Sequence, residues 1–414
     1  MIAIILTEWL EFAVRWFHII TAIAWIGSSF YFIALDLGLK KNKSLPDGVI
    51  GEEWQVHGGG FYNIQKYSIA PPNLPKDLIW FKWESYSTWL SGFFLLAIVY
   101  YGGADIYLID REIADINSYE AILISLVSIL LGWVIYNSAC KSPLGSNSNF
   151  LMLILFFFLI FLSWFYTSIF SGRAAFLHLG AITATLMTAN VFFIIIPNQK
   201  IVVSDLKAGR IPDPKYGIIA KQRSTHNNYL TLPVIFFMLS NHYPLAFGSE
   251  LNWVIAPLVF LLGVSIRHYF NTYHATKKKL YWTWIITFFI FALIIVLSTY
   301  KKNNETLAEN INDLERVYSL EIVQLTNEVH DIISARCSMC HAREPLWDGY
   351  LNAPNGFVIE SKEDIIKHAK KVYLHSAISR AMPPNNISYM EEIERFTIQS
   401  VSYTHLTLPT KRIV

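Results

Sequence analysis

Cys337-Ser338-Met339-Cys340-His341 places two thiols one helical turn apart with an imidazole directly behind them. That spacing suits thioether bonds from Cys337 and Cys340 to the two vinyl groups of a c-type haem, with His341 on the iron. A half zinc site or a redox dithiol would use the same cysteines. No second Cys pair completes a zinc site, however, and no βαβ pattern surrounds the motif. Cys140, the third cysteine, is then left without a disulfide partner. Iron held this way needs a ligand on its far side, and Met382 and Met390 follow at suitable distance. Met382 lies in Arg380-Ala381-Met382-Pro383-Pro384-Asn385-Asn386, where prolines fix an extended loop, whereas Met390 opens an acidic helical stretch. Met382 is the expected ligand, and His/Met ligation raises the reduction potential of an electron carrier.

A second group of reactive side chains lies in apolar surroundings. Ionisable residues there are expensive and usually face a bundle interior. One layer holds Arg15, His18, His178 and His242, and another holds His57, His226, His268 and His274. Each alone reads as an interhelical hydrogen-bonding histidine. Together, His18 and His178 could clamp a second redox centre, a b-type haem or a metal. Arg15, one turn from His18 among aromatic residues, could hold a flat anion or could snorkel to the interface. Gln55-Val56-His57-Gly58-Gly59-Gly60-Phe61-Tyr62 lacks Walker or dinucleotide spacing, so it reads as a glycine-rich turn.

The elements that must position these groups are membrane helices. The chain has 414 residues, of which 53% are hydrophobic and 15% charged, too apolar for a water-soluble protein of this length. Apolar runs long enough to cross a bilayer lie at about Trp9–Leu35, Tyr86–Tyr101, Tyr119–Ala139, Phe150–Phe170, Ala174–Ile196, Asn228–Phe247, Asn252–Phe270 and Leu280–Tyr300. The expectation is an all-α bundle of eight transmembrane helices followed by a small all-α cytochrome c domain. The N-terminal run has no basic flank or small-residue cleavage site and reads as a retained span. A net charge of +2 with both signs mixed gives no sign of a nucleic-acid partner.

Loop charge sets the orientation. Lys40, Lys41, Lys43, Lys66, Lys76 and Lys82 fall between spans one and two. Lys200, Lys207, Arg210, Lys215, Lys221 and Arg223 fall between spans five and six. With Lys141, Arg267 and Lys277–Lys279 the count on that side is seventeen, against Arg111 and Arg173 on the other. The positive-inside rule then puts both termini in the periplasm of a bacterial inner membrane, where c-type haem is attached. The organisation read from this is a membrane domain over 1–300, a polar tether over 301–313, a haem domain over 314–402 and an atypical tail over 403–414. In the tail, helical character is lost after about Ser400.

Several long polar-aromatic strings are more specific than the haem motif. They are Trp25-Ile26-Gly27-Ser28-Ser29-Phe30-Tyr31, Trp80-Phe81-Lys82-Trp83-Glu84, His226-Asn227-Asn228-Tyr229-Leu230-Thr231-Leu232-Pro233-Val234 and Ser240-Asn241-His242-Tyr243-Pro244. Ala353-Pro354-Asn355-Gly356 and Ala381-Met382-Pro383-Pro384 continue them. In these strings the chain resembles the bacterial membrane-bound urate hydroxylases of the PuuD type, a membrane domain fused to a cytochrome c. The resemblance implies oxidation of urate to 5-hydroxyisourate, with electrons leaving through one covalent haem to a respiratory cytochrome partner. Candidate catalytic residues are Arg15, His18, His178 and His226. Two other classes compete: an electron-transfer module that oxidises quinol and binds no purine, and a transporter carrying a cytochrome sensor, disfavoured by the few carboxylates in the spans.

Overall fold

The computed structural model describes residues 2–42, 44–68, 71, 74–300, 322–347, 350 and 352–407. Helix α1 (Ile2–Gly38) opens the chain and packs against α2 (Trp83–Leu95), which passes into a π-helical turn at Leu96–Tyr101. Next come α3 (Ser118–Lys141) and α4 (Ser148–Thr167). Helix α5 (Gly172–Ala189) continues through a π-helical Asn190–Ile195 into Ile196–Lys207. Helices α6 (Pro214–Leu239), α7 (Asn252–Thr276) and α8 (Tyr281–Thr299) complete the bundle. Helix starts are set by side-chain caps. Asn117 and Glu120 form a reciprocal capping box on α3, and the Ser171 hydroxyl accepts from the Ala174 amide on α5.

Among the described residues, six helices are long and apolar enough to span a bilayer: those over Ile5–Gly38, Ser118–Lys141, Ser148–Thr167, Gly172–Lys207, Asn252–Thr276 and Tyr281–Thr299. The chain is therefore a membrane protein. The other two expected spans are helical but do not meet the same standard. α2 is α-helical for only 13 residues before its π turn. α6 carries buried Arg223, His226, Asn227, Asn228 and Thr231. It packs against both α5 and α7, so its polar face meets other helices instead of lipid. Arg223 and Arg267, counted above as loop charges, lie inside α6 and α7 and are 1% and 8% exposed. Without them the loop bias falls to fifteen against two, and its direction stands.

The all-α expectation needs one correction. Val49–His57 (β1) and Gly60–Tyr67 (β2) form an antiparallel hairpin, with Val56 opposite Phe61 and His57 opposite Gly60. Gly58 and Gly59 sit at φ of 57° and 78°, which a two-residue hairpin turn requires and which L side chains resist. The glycine-rich turn is thus present, and the strands that flank it go unread in the sequence because their apolar alternation is short.

A smaller unit follows, with α9 (Ile322–His341), α10 (Lys362–Val372) and α11 (Glu392–Thr407) around a core that includes Ile333, Ile359, Val372, Met390 and Ile398. The expected tether and the start of the expected haem domain, residues 314–321, lie outside the described residues. α11 remains helical to Thr407, past the Ser400 limit read from the sequence. This unit docks on two loops of the bundle. Asn385 Nδ2 donates to the Ile106 carbonyl (2.7 Å) and Asn386 Nδ2 to Glu112 (2.6 Å). The Arg380 amide donates to the Gly248 carbonyl (3.2 Å), and the Tyr107 and Tyr350 hydroxyls share a bond of 3.0 Å. Both loops belong to the face poor in Lys and Arg.

Candidate functional site

A cavity of about 1980 Å³ runs from the bundle to the docked unit. Arg15 and His18 of α1, Tyr100 and Tyr107, Arg173 of α5, and Asn241 and His242 after α6 line its bundle side. Tyr350, Asn355, His375 and Met382 line the other. Fold topology thus brings two of the four expected catalytic residues, Arg15 and His18, into one space with the expected iron ligand Met382.

His18 is held in one tautomer. Its Nδ1 lies 3.0 Å from the Thr88 carbonyl and 3.0 Å from Ser91 Oγ. A carbonyl only accepts, so Nδ1 carries the proton and Nε2 keeps its lone pair. Gly92 makes room for the ring, since a Cβ there would lie 2.9 Å from His18 Cε1. Arg15 is half-exposed and paired with Glu11 one turn earlier, which neutralises part of its pull on an anion. Arg173, which the sequence reading treated only as a loop charge, has no carboxylate partner among the described residues. Its guanidinium stands 5.3 Å from the Phe247 ring centroid. Nearby, Asn241 Oδ1 is buried without a hydrogen-bond partner. The cavity therefore presents a free guanidinium and an imidazole lone pair among aromatic rings. That is a set able to bind a planar anion that also carries N–H donors. Only position relative to the docked unit, not local sequence, marks Arg173.

His178 does not line this cavity. It is fully buried, with Nδ1 2.7 Å from the Ala174 carbonyl and Nε2 2.7 Å from Ser125 Oγ. Both ring nitrogens are engaged, so the imidazole offers no lone pair to a metal in this arrangement. His226 sits elsewhere, buried against Tyr136 at 2.8 Å. No group of three or more His, Cys, Asp or Glu side chains able to hold a metal occurs among the described residues.

In the docked unit, Cys337 and Cys340 are free thiols on the last turn of α9. Burial pushes the Cys337 thiol up to about 12, which disfavours a zinc-binding thiolate and is compatible with a neutral thioether. His341 Nδ1 donates to the Phe357 carbonyl (2.7 Å), fixing the ring and leaving Nε2 for a metal. The donor set fits a covalently bound haem. Met382 lines the cavity, whereas Met390 is 2% exposed inside the unit's core. Buried Arg395 braces the Met382 loop, donating to the Ser376 carbonyl (2.7 Å) and to the Met382 carbonyl (2.8 Å).

The family model for the urate oxidase N-terminal region matches residues 4–298, the whole bundle. The chain belongs to this family. No curated protein and no solved structure matches it. Membership makes the chain a urate oxidase relative, and an oxidoreductase acting on urate is compatible with it. The match ends where the bundle ends, so the cavity's bundle wall lies inside the family region and its Met382 wall outside it.

Proposed function

We propose that the chain oxidises urate to 5-hydroxyisourate within the membrane and passes the electrons through a c-type haem on the C-terminal unit to a respiratory cytochrome. The observation that carries this reading is the shared cavity, in which Arg173 and His18 face the same space as Met382. The urate monoanion and water give neutral 5-hydroxyisourate, one proton and two electrons. Arg173 binds the urate anion and orients it beneath the docked unit. His18, through Nε2, accepts the proton of the attacking water, and Ser91 and Thr88 hold the ring as it becomes charged. Cys337 and Cys340 would anchor the haem and His341 and Met382 would hold its iron, which would supply a one-electron acceptor beside the cavity. Because such an acceptor takes electrons singly, the cavity must hold the one-electron-oxidised urate between the two transfers, beside aromatic residues such as Tyr100 and Tyr107.

In the proposed topology α2 and α6 also cross the bilayer, giving eight spans with both termini in the periplasm of a bacterial inner membrane. Docking of the C-terminal unit on the loops poor in Lys and Arg supports that side. The engaged nitrogens of His178 favour a single haem over a second centre between His18 and His178.

Urate added to membranes holding the full chain is expected to reduce the haem, read from its absorbance. Reduction by quinol but not by urate would overturn the reading and leave an electron-transfer module. Pyridine haemochrome analysis is expected to show c-type haem and no b-type.

A further inference from the structure

The buried charged side chains of the bundle share one sign. Among the described residues, Arg223 and Arg267 are buried in it, and no Asp, Glu or Lys is. Around Arg223 every partner is neutral. Its guanidinium donates to Asn137 Oδ1 (2.9 Å) and Asn190 Oδ1 (3.4 Å) and lies 5.0 Å from the Tyr136 ring centroid.

An arginine can only donate, and this fixes the direction of the Asn190 bonds that follow. Asn190 accepts at Oδ1, so its Nδ2 donates to the Tyr136 hydroxyl oxygen (2.9 Å) and to Asn227 Oδ1 (2.9 Å). Tyr136 and His226 Nδ1 share the next bond (2.8 Å); with the Tyr136 proton turned to Nδ1, the neutral imidazole carries its hydrogen on Nε2. That atom is buried without a partner, and so is Arg223 Nε. A parallel chain runs from Arg267 to Asn271 to Asn228 and likewise ends on an unpartnered donor, Asn228 Nδ2. Unmet donors beside an uncompensated charge call for an acceptor that is itself negative.

We propose that Arg223 and His226, flanking Tyr136, form an anion-binding site separate from the cavity that Met382 lines. It takes a monovalent anion that accepts from Arg223 Nε and His226 Nε2. None of Arg223, Tyr136, Asn190 and His226 lines that cavity, whose wall reaches Ala189, next to Asn190, and Val234, about two turns of α6 beyond His226. The π-helical turn that begins at Asn190 interrupts the α-helical pattern of α5 where it supplies the amide, a feature common at binding sites. Two sources could supply such an anion: the urate monoanion on its way to the cavity, which rests on the function proposed above, or an inorganic counter-ion such as chloride.

The test uses the full haem-bearing chain in detergent over a gluconate background. It carries Arg173→Gln so that the outer cavity does not contribute. Thermal unfolding is followed while sodium urate is added in one arm and sodium chloride in the other. A saturable rise in midpoint with either anion is expected, lost when Arg223→Gln is added. His226→Phe keeps the charge but removes one donor, and is expected to weaken apparent affinity roughly tenfold, a loss of the size expected for one hydrogen bond to a charged group. A rise with urate alone identifies the substrate as the ligand, and one with chloride identifies a counter-ion. No rise with either anion, or a rise unchanged in both variants, overturns the site. Urate-driven haem reduction is scored separately in the chain with Arg173 intact. Its absence with an Arg223-dependent rise removes the urate reading and leaves the anion site standing.

Discussion

The two ends of the bundle use the same side chains, arginine with histidine and amides, and arrive at opposite kinds of site. At the docked end, Arg173, His18 and Asn241 line a cavity large enough for a heterocycle and bordered by the C-terminal unit. At the other, Arg223, His226 and Asn190 are packed against one another, and the unmet atoms are all donors. The difference lies in what closes each end. The C-terminal unit, with its own apolar core, caps the first and leaves space beneath it, whereas helices α3, α5 and α6 close directly on the second. Residue type alone therefore does not say which arginine meets a substrate.

That contrast can be broken most sharply at the docked unit. Cys337→Ser together with Cys340→Ser is expected to abolish haem attachment and all urate-driven electron output. The bundle's thermal unfolding should stay near that of the parent, and a collapsed bundle would show that the two regions are not separable. Next in size, Arg173→Met should lower kcat/KM for urate by roughly tenfold to a hundredfold, the loss of one charge-assisted contact to an anion. Arg15→Met should lower it less, because Glu11 already pairs with that guanidinium. Equal losses would return Arg15 to the leading role.

Within the docked unit, Arg395→Met leaves the Ser376 and Met382 carbonyls unpaired and should destabilise it by roughly 2–3 kcal/mol, measured by denaturant unfolding. Loss of the Met-ligation absorbance band in the folded variant would show that Arg395 positions the Met382 loop. Gly92→Ala should displace His18 and slow turnover, with substrate affinity changed less. An unaltered kcat would remove His18 from the proton-accepting role.

The smallest effect concerns pH. His375 is held below its usual value of 6.5 by burial first, then by Arg173 and Lys371. A depressed imidazole favours the folded, docked state above the unfolded value, and this stability is lost as pH falls from 6.5 through the folded value. Unfolding midpoints of the docked unit should therefore drop on acidification, with a shallower slope in His375→Gln.

Much of the architecture was legible because membrane spans are written as long apolar runs and caps as local motifs. α2 and α6 fall short of the other spans for different reasons: α2 turns π-helical after 13 residues, and α6, packed among helices, can carry Arg223 and four polar neighbours without meeting lipid. The hairpin at Val49–Tyr67 was missed because its alternating stretches are brief beside a conspicuous glycine run. Of the candidate site, Arg15 and His18 could be read from their cost in an apolar segment. Arg173 could not, since it looks like one of two stray loop charges.

Sequence by itself determined the haem-type pentapeptide, the apolar segments, the charge bias between loops and the choice of Met382 over Met390 as the candidate iron ligand. These are local properties, fixed by spacing along the chain. Tertiary structure alone decided that His178 has both nitrogens engaged, that Arg173 faces Met382 across one cavity, and that Arg223 starts a chain of hydrogen bonds. Each depends on which helices meet and on which donors find acceptors there, and a linear pattern carries no record of either.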